Sequence, residues 1–141
     1  MTPAAMSVSR DGGTSAILLV EDHEDTRQMY AEFLSLSFDV VSAPDGEQGL
    51  ALLRERPVDV VITDLSLPGM NGFELIAAIR SDPDLRAIPI VCLSGYGGLA
   101  HEQRARAAGC DRILQKPFMP DALAEVASEL IRQASDRSSP S

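Results

Sequence analysis

Val58-Asp59-Val60-Val61-Ile62-Thr63-Asp64 is a short apolar run, rich in Val and Ile, that ends on a carboxylate. Such a run, with little polar alternation, suits a strand covered on both faces. Runs of similar length recur at 16–20, 38–42, 88–93 and 111–115, and this one spans 58–63. Segments with helical spacing separate them. Residues 25–36 place Met29, Phe33, Leu34 and Leu36 on one stripe, and 45–56 do so with Leu50, Leu52 and Leu53. Residues 72–80 use Phe73, Leu75, Ile76 and Ile79. Residues 98–108 are Ala-rich, and 120–134 carry Leu123, Val126, Leu130 and Ile131. Strand and helix thus alternate five times, which predicts a parallel sheet with right-handed crossovers.

Punctuation agrees with these limits. Asn71-Gly72-Phe73-Glu74 reads as a helix cap whose Glu74 reaches back over three residues. Gly109 follows Arg106-Ala107-Ala108 as a helix-closing glycine. Pro57 and Pro89 stand near strand starts, where a missing N–H does little harm, and Pro120 can open the last helix. Residues 1–15, with Gly12-Gly13 and several hydroxyl side chains, read as a flexible tail without the apolar stretch of a signal peptide. Residues 135–141 read as a second flexible tail, leaving 16–134 as the domain.

The 141 residues suffice for one domain with a real core, and 45% hydrophobic content argues for a globular chain. Aromatics make up 4% and Trp is absent, so Leu, Val, Ile and Ala must build that core. The formal charge of −9 repels a nucleic-acid duplex or an anionic membrane, so neither is expected as a partner. No apolar run approaches the roughly 20 residues that span a bilayer. Cys92 and Cys110 make no disulfide framework, and Cys92, inside Ile90-Val91-Cys92-Leu93, is expected to be a buried inert thiol. A cytoplasmic location is expected.

In a parallel sheet, the residues that follow each strand emerge at one edge, where open α/β folds place their chemistry. Glu21-Asp22 follows Ile17-Leu18-Leu19-Val20, Asp64 follows the run quoted above, and Lys116-Pro117 follows Ile113-Leu114-Gln115. Three acids there repel one another unless a cation joins them, and both Lys116 and a divalent ion suit that role. Glu24 and Asp25 fit the first turn of a helix, which favours acids. His23 is expected to be a solvated loop residue, because no second His stands at ligand spacing and the other one is His101. Gly95-Tyr96-Gly97-Gly98 is not a phosphate-binding loop, since it lacks the Gly-Lys-Ser/Thr ending.

These segments, and above all Asp64-Leu65-Ser66-Leu67-Pro68-Gly69-Met70-Asn71-Gly72 and Lys116-Pro117-Phe118, resemble the receiver domain of bacterial two-component response regulators, over residues 16 to 134. Leu93-Ser94-Gly95-Tyr96-Gly97 resembles receivers attached to sensor kinases. The resemblance implies a flavodoxin-like, doubly wound α/β fold: a five-stranded parallel sheet in the order 2-1-3-4-5, flanked by five helices. It implies that Asp64 accepts a phosphoryl group from a histidine kinase or histidine phosphotransfer protein. It implies Mg²⁺ held by Asp22, Asp64 and the main-chain carbonyl of Ser66, with Glu21 nearby or acting through water. Ser94 and Lys116 would read the phosphoryl group, and the face of helix 4, strand 5 and helix 5 would change its affinity for an unknown downstream protein. Family members often have a cis peptide at the position of Lys116-Pro117. The side chains of Ser66 and Tyr96 would border the approach of hydrolytic water.

One position departs from the pattern. Three residues before the lysine, where the family commonly has Tyr or Phe as a rotating switch, stands Ile113. An aliphatic side chain has no phenol to expose or hide, so the glycine-rich loop around Tyr96 becomes the alternative moving part. Nothing after residue 134 is long enough for an output domain, so a stand-alone receiver is expected. Two alternatives compete with it: a phosphorylation-independent interaction module, which Ile113 favours, and an aspartate-nucleophile phosphohydrolase. The latter resembles the haloacid dehalogenase pattern, whose nucleophile ends strand 1 in Asp-x-Asp. Here Glu21-Asp22 stands at that place, and there is no room for a cap domain.

Overall fold

Along the chain, five strands alternate with five helices among the residues that the computed structural model describes, 14–95, 99–116 and 120–138. They are β1 (Ala16–Val20), α1 (Glu24–Leu34), β2 (Asp39–Ala43), α2 (Gly46–Glu55), β3 (Val60–Asp64), α3 (Gly72–Ser81), β4 (Ile90–Ser94), α4 (Leu99–Ala108), β5 (Arg112–Gln115) and α5 (Pro120–Ser138). All strand pairs are parallel, in the order β2-β1-β3-β4-β5. This is the expected doubly wound sheet. Its order reverses between β1 and β3, which opens a crevice at their carboxyl ends.

Two hydrophobic layers sandwich the sheet. Leu18, Val20, Val61 and Cys92 face Leu50 and Leu53 of α2, Leu75, Ile76 and Ile79 of α3, and Ala105 of α4. Ile17, Leu19, Ile62 and Leu93 face Tyr30 and Leu34 of α1 and Leu123, Ala127 and Leu130 of α5. The central strands β3 and β4 are buried throughout. The edge strands are not: Asp39 and Ser42 of β2 and Gln115 of β5 are exposed, and Arg112, Ile113 and Leu114 are half-buried. Burial on both faces therefore holds for the middle of the sheet and fails at its rims, where one neighbour is missing. Both cysteines are buried, as expected of Cys92.

The apolar stripe of α1 differs from the reading of its sequence. Tyr30 and Leu34, one helical turn apart, form its buried face, whereas Met29 is 50% exposed and Leu36 is 80% exposed. After Leu34 the helix tightens into i−3 bonds, Leu36 N–H to the Phe33 carbonyl and Ser37 N–H to the Leu34 carbonyl, while the Ser35 hydroxyl donates to the Ala31 carbonyl at 2.6 Å. At the other end of the chain, α5 continues through Ser138, beyond residue 134. Neither Gly nor Pro interrupts Ala134-Ser135-Asp136-Arg137-Ser138, so its polarity alone does not stop the helix. Residues 1–13 and 139–141 lie outside the described residues.

Two local devices set the loops. Asn71 and Glu74 cap α3 reciprocally, each side chain accepting from the other's backbone N–H at 2.9 Å. Arg80, at the end of α3, donates to the carbonyls of Arg86, Ile88 and Gly109 and to the Asp111 carboxylate, over 2.6–3.0 Å. Asp111 in turn accepts from the Ile90 backbone at 2.8 Å. One guanidinium thus fastens three chain segments at the amino-terminal edge of β4 and β5. Gly109 adopts φ 120°, the left-handed region that favours glycine.

Candidate functional site

The ends of β1, β3 and β5 converge as the sequence predicts. Lys116, one residue past β5, extends the ladder by donating its backbone N–H to the Ser94 carbonyl at 2.8 Å. Its Nζ lies 2.7 Å from Asp64 Oδ2 and 3.3 Å from Glu21 Oε1. Glu21 is fully buried and Asp64 is 4% exposed. Charges so far from water persist only when paired, and the lysine supplies the pairing.

The electrostatics follow from burial. Desolvation raises the Glu21 carboxyl above its usual value, and the Asp64 charge adds to that. The His23 backbone N–H and Lys116 oppose the rise without cancelling it. For Lys116, burial alone favours loss of the proton. The hydrogen bond to Asp64 and the charges of Asp64 and Glu21 outweigh burial, so its value stands above the ordinary one.

Close packing fixes the position of Asp64. Its Oδ1 accepts the Ser66 backbone N–H at 3.0 Å, and the buried Thr63 hydroxyl donates to its carbonyl at 2.9 Å. Gly72 opens α3 so near the end of β3 that a Cβ there would stand 2.5 Å from the Asp64 carbonyl oxygen and 2.6 Å from Leu65 Cα. Ser94, 2% exposed, ends β4 next to β3, where Asp64 pairs with Leu93. Arg27 of α1 donates to the Glu21 carbonyl at 2.9 Å and steadies the turn after β1.

Asp22 stands apart from the lysine contacts. Its Oδ1 is a buried oxygen with no hydrogen-bond partner. Such an oxygen calls for a cation, and the carboxylate donors of Asp22, Glu21 and Asp64 suit a hard divalent one. His23 is 76% exposed, in line with a loop residue, but it is not without contacts. It caps α1 with no side-chain bond, and its Nδ1 lies 3.4 Å from Glu21 Oε2 and 3.6 Å from Asp22 Oδ1. Glu24 and Asp25 occupy the first turn of α1, as expected.

Ile113 pairs with Cys92 and packs into the layer of α2, α3 and α4. Tyr96, Pro117 and Phe118 lie outside the described residues, as does the peptide between Lys116 and Pro117. Sequence reading missed Arg27, Thr63, Tyr30 and Arg80. Only Arg27 left a signal, a lone basic residue one turn into a helix that begins with two acids.

A doubly wound domain with buried acids and a lysine at its switch point belongs to a narrow class. The chain is a member of the response regulator receiver domain family of two-component signalling, which matches residues 17–128. It is similar to the probable chemotaxis protein CheY of Rhizobium etli, at 35% identity over 72% of this chain and 81% of that protein. It also resembles the polar-differentiation response regulator DivK of Brucella ovis, at 27% identity over 74% of this chain and 86% of that one. Among solved structures, the chemotaxis protein CheY4 of Vibrio cholerae superposes with a TM-score of 0.79 at 29% identity, covering 84% of this chain and 99% of that one. No described helix is long and apolar enough to cross a membrane.

Proposed function

We propose that Asp64 accepts a phosphoryl group from a sensor histidine kinase or histidine phosphotransfer protein, and that the phosphorylated chain changes its affinity for a separate protein. The single observation that carries this reading is the contact of Lys116 Nζ with Asp64 and Glu21 at the β1–β3 crevice. A carboxylate oxygen of Asp64 attacks phosphorus as the phosphorus–nitrogen bond of the donor breaks. The histidine leaves with that electron pair and takes up a proton, and an acyl phosphate forms on Asp64. Asp22, Asp64 and the Ser66 carbonyl would hold Mg²⁺, with Glu21 beside it. The ion would neutralise phosphoryl oxygens. Lys116 offers its charge to the new group as it gives up the Asp64 carboxylate, and Ser94, two strands from β1, donates its hydroxyl. The rearrangement would pass to α4, β5 and α5. The switch is a shift between two states, so the partner must prefer one of them.

Ile113 supports a second reading, an interaction module that does not use phosphate. One experiment separates the two. Wild type and Asp64→Asn are incubated with acetyl phosphate and Mg²⁺ and weighed by intact mass, while fluoroberyllate shifts are followed by NMR. The expected result is a phosphoryl adduct on wild type alone, with shifts centred on residues 94–116. An adduct on both proteins removes Asp64 as acceptor. No adduct and no shifts on wild type favour the interaction module.

A further inference from the structure

The two cysteines take no part in the phosphoacceptor reading, yet their thiols meet. We propose that Cys92 and Cys110 form a peroxide-reactive thiol pair that closes to an intramolecular disulfide, with Cys110 as the attacking sulfur and Cys92 as the resolving one.

Placement carries it. Cys92, in the middle of β4, and Cys110, in the turn between α4 and β5, belong to the same layer against α2, α3 and α4. The two thiols are hydrogen-bonded to each other. Cys110 is also fixed from its own side. Its backbone N–H donates to the Ala105 carbonyl at 3.1 Å, and its thiol reaches the carbonyls of Arg112 at 2.8 Å and Ile90 at 3.8 Å. The sulfur therefore sits across the seam of β4 and β5, on the face that Cys92 occupies.

The pair is asymmetric, which assigns the roles. Cys92 is fully buried and Cys110 is 8% exposed, so a small oxidant meets Cys110 first. The hydrogen bond from the Cys92 thiol holds Cys110 below the usual thiol value, against burial and the Asp111 charge, and the same bond pushes Cys92 up. Thiolate character and access select the sulfur that is oxidised, and a neighbouring thiol resolves it. The Cys110 thiolate attacks one oxygen of hydrogen peroxide. The O–O bond breaks, and hydroxide leaves with its electron pair and takes up the proton that Cys110 released. Cys110 is left as a sulfenic acid. The Cys92 sulfur gives up its proton and attacks the Cys110 sulfur, the S–O bond breaks, and the oxygen leaves as water. Two thiols and one peroxide thus give one disulfide and two waters, with two electrons passing from sulfur to oxygen. The sulfurs must approach more closely than a hydrogen bond holds them, and β5, an edge strand with one neighbour, is the side that can yield. The bridge would tie the start of β5 to β4.

Reduced chain, freed of reductant, is treated with hydrogen peroxide, then unfolded and alkylated with iodoacetamide. Untreated protein takes one alkyl group on each of its two cysteines. Treated wild type should take none, run as a monomer on a non-reducing gel, and recover both sites after dithiothreitol. Methionine oxidation consumes no thiol, so it leaves this count unchanged. Cys92→Ala, which buries no new polar group, should stop at a sulfenic acid on Cys110 that dimedone traps. In Cys110→Ala, Cys92 should react at least tenfold more slowly than Cys110 does in Cys92→Ala. Thiols that persist in folded wild type, while the same peroxide oxidises the chain unfolded in urea, overturn the proposal. So do a bridge between two chains and equal rates in the two variants. The outcome does not depend on Asp64 or Lys116, so it stands or falls apart from the phosphoacceptor reading.

Discussion

Gly72→Ala adds one methyl group to the tightest backbone approach in the site. The new carbon would sit 2.5 Å from the Asp64 carbonyl oxygen and 2.6 Å from Leu65 Cα, against 3.4 Å for ordinary contact. The shortfall is about 0.8–0.9 Å, and both obstructing atoms belong to the backbone, so no rotamer relieves it. Overpacking of this kind costs about 1–3 kcal/mol. Alanine returns about 0.4–1 kcal/mol through the unfolded chain. A net loss of about 1.3 kcal/mol should lower Tm by roughly 4–7 °C in a domain of this size. The same push moves the strand end that presents Asp64. Misplacement by about 1 Å can cost a hundredfold in a positioned reaction, so the acetyl phosphate reaction should slow at least tenfold. Thermal melts and intact-mass time courses measure the two effects. Gly95→Ala serves as control, because among the described residues nothing lies within 4 Å of a Cβ there. A Gly72→Ala protein with wild-type Tm and wild-type phosphorylation would refute the claim that α3 positions Asp64 by contact.

Arg80→Met keeps the aliphatic stem and deletes the guanidinium that serves three carbonyls and Asp111. Its partial exposure lets water replace some bonds, so the expected loss is roughly 3 kcal/mol by urea denaturation; a change below about 0.5 kcal/mol would mean that water substitutes fully. Glu21→Gln tests the buried carboxyl. A raised folded value makes its contribution fully present below the unfolded value near 4.5 and lost as pH rises through the folded one. The variant should therefore gain most over wild type at pH 7, with the gap closing toward pH 4.5; a gap that widens in acid would reverse the sign. Asn71→Ala removes half of the reciprocal cap on α3 and should cost about 1 kcal/mol in the same assay.

The sheet was legible because the apolar runs of its central strands admit no other packing. The sequence of β3 names its own burial. The rims were less legible, since Val40-Val41 and Ile113-Leu114 read like the central runs although each edge strand has only one neighbour. In α1, Met29 and Leu36 satisfy an apolar count, yet the face against the sheet carries Tyr30 and Leu34, and Leu36 lies past the helix end. The site was readable as chemistry: Asp64 and Lys116, 52 residues apart, meet because parallel strands deliver their ends to one edge. Arg80 was invisible for the opposite reason. Its partners at Gly109 and Asp111 are main-chain and side-chain oxygens that leave no pattern in the order of residues. The neighbours of His23 are adjacent in sequence, but only the geometry of the turn shows that its ring faces both acids.

The half-buried state of β5 has a consequence for motion. Beside its ladder to β4 and the half-buried Ile113 and Leu114, this strand and the turn before it are held by polar ties: Arg112 pairs with Glu129 of α5, Cys110 donates to the Arg112 carbonyl at 2.8 Å, and Asp111 is held by Arg80. Such bonds open one at a time and are exchanged for water at small cost, whereas β3 leaves the core only when the whole domain unfolds. Amide hydrogen exchange should therefore separate the two strands, with β5 exchanging through a sub-global opening that includes α5. The lysine that meets Asp64 follows directly on that strand, so an opening of β5 would carry the contact between the two side chains with it.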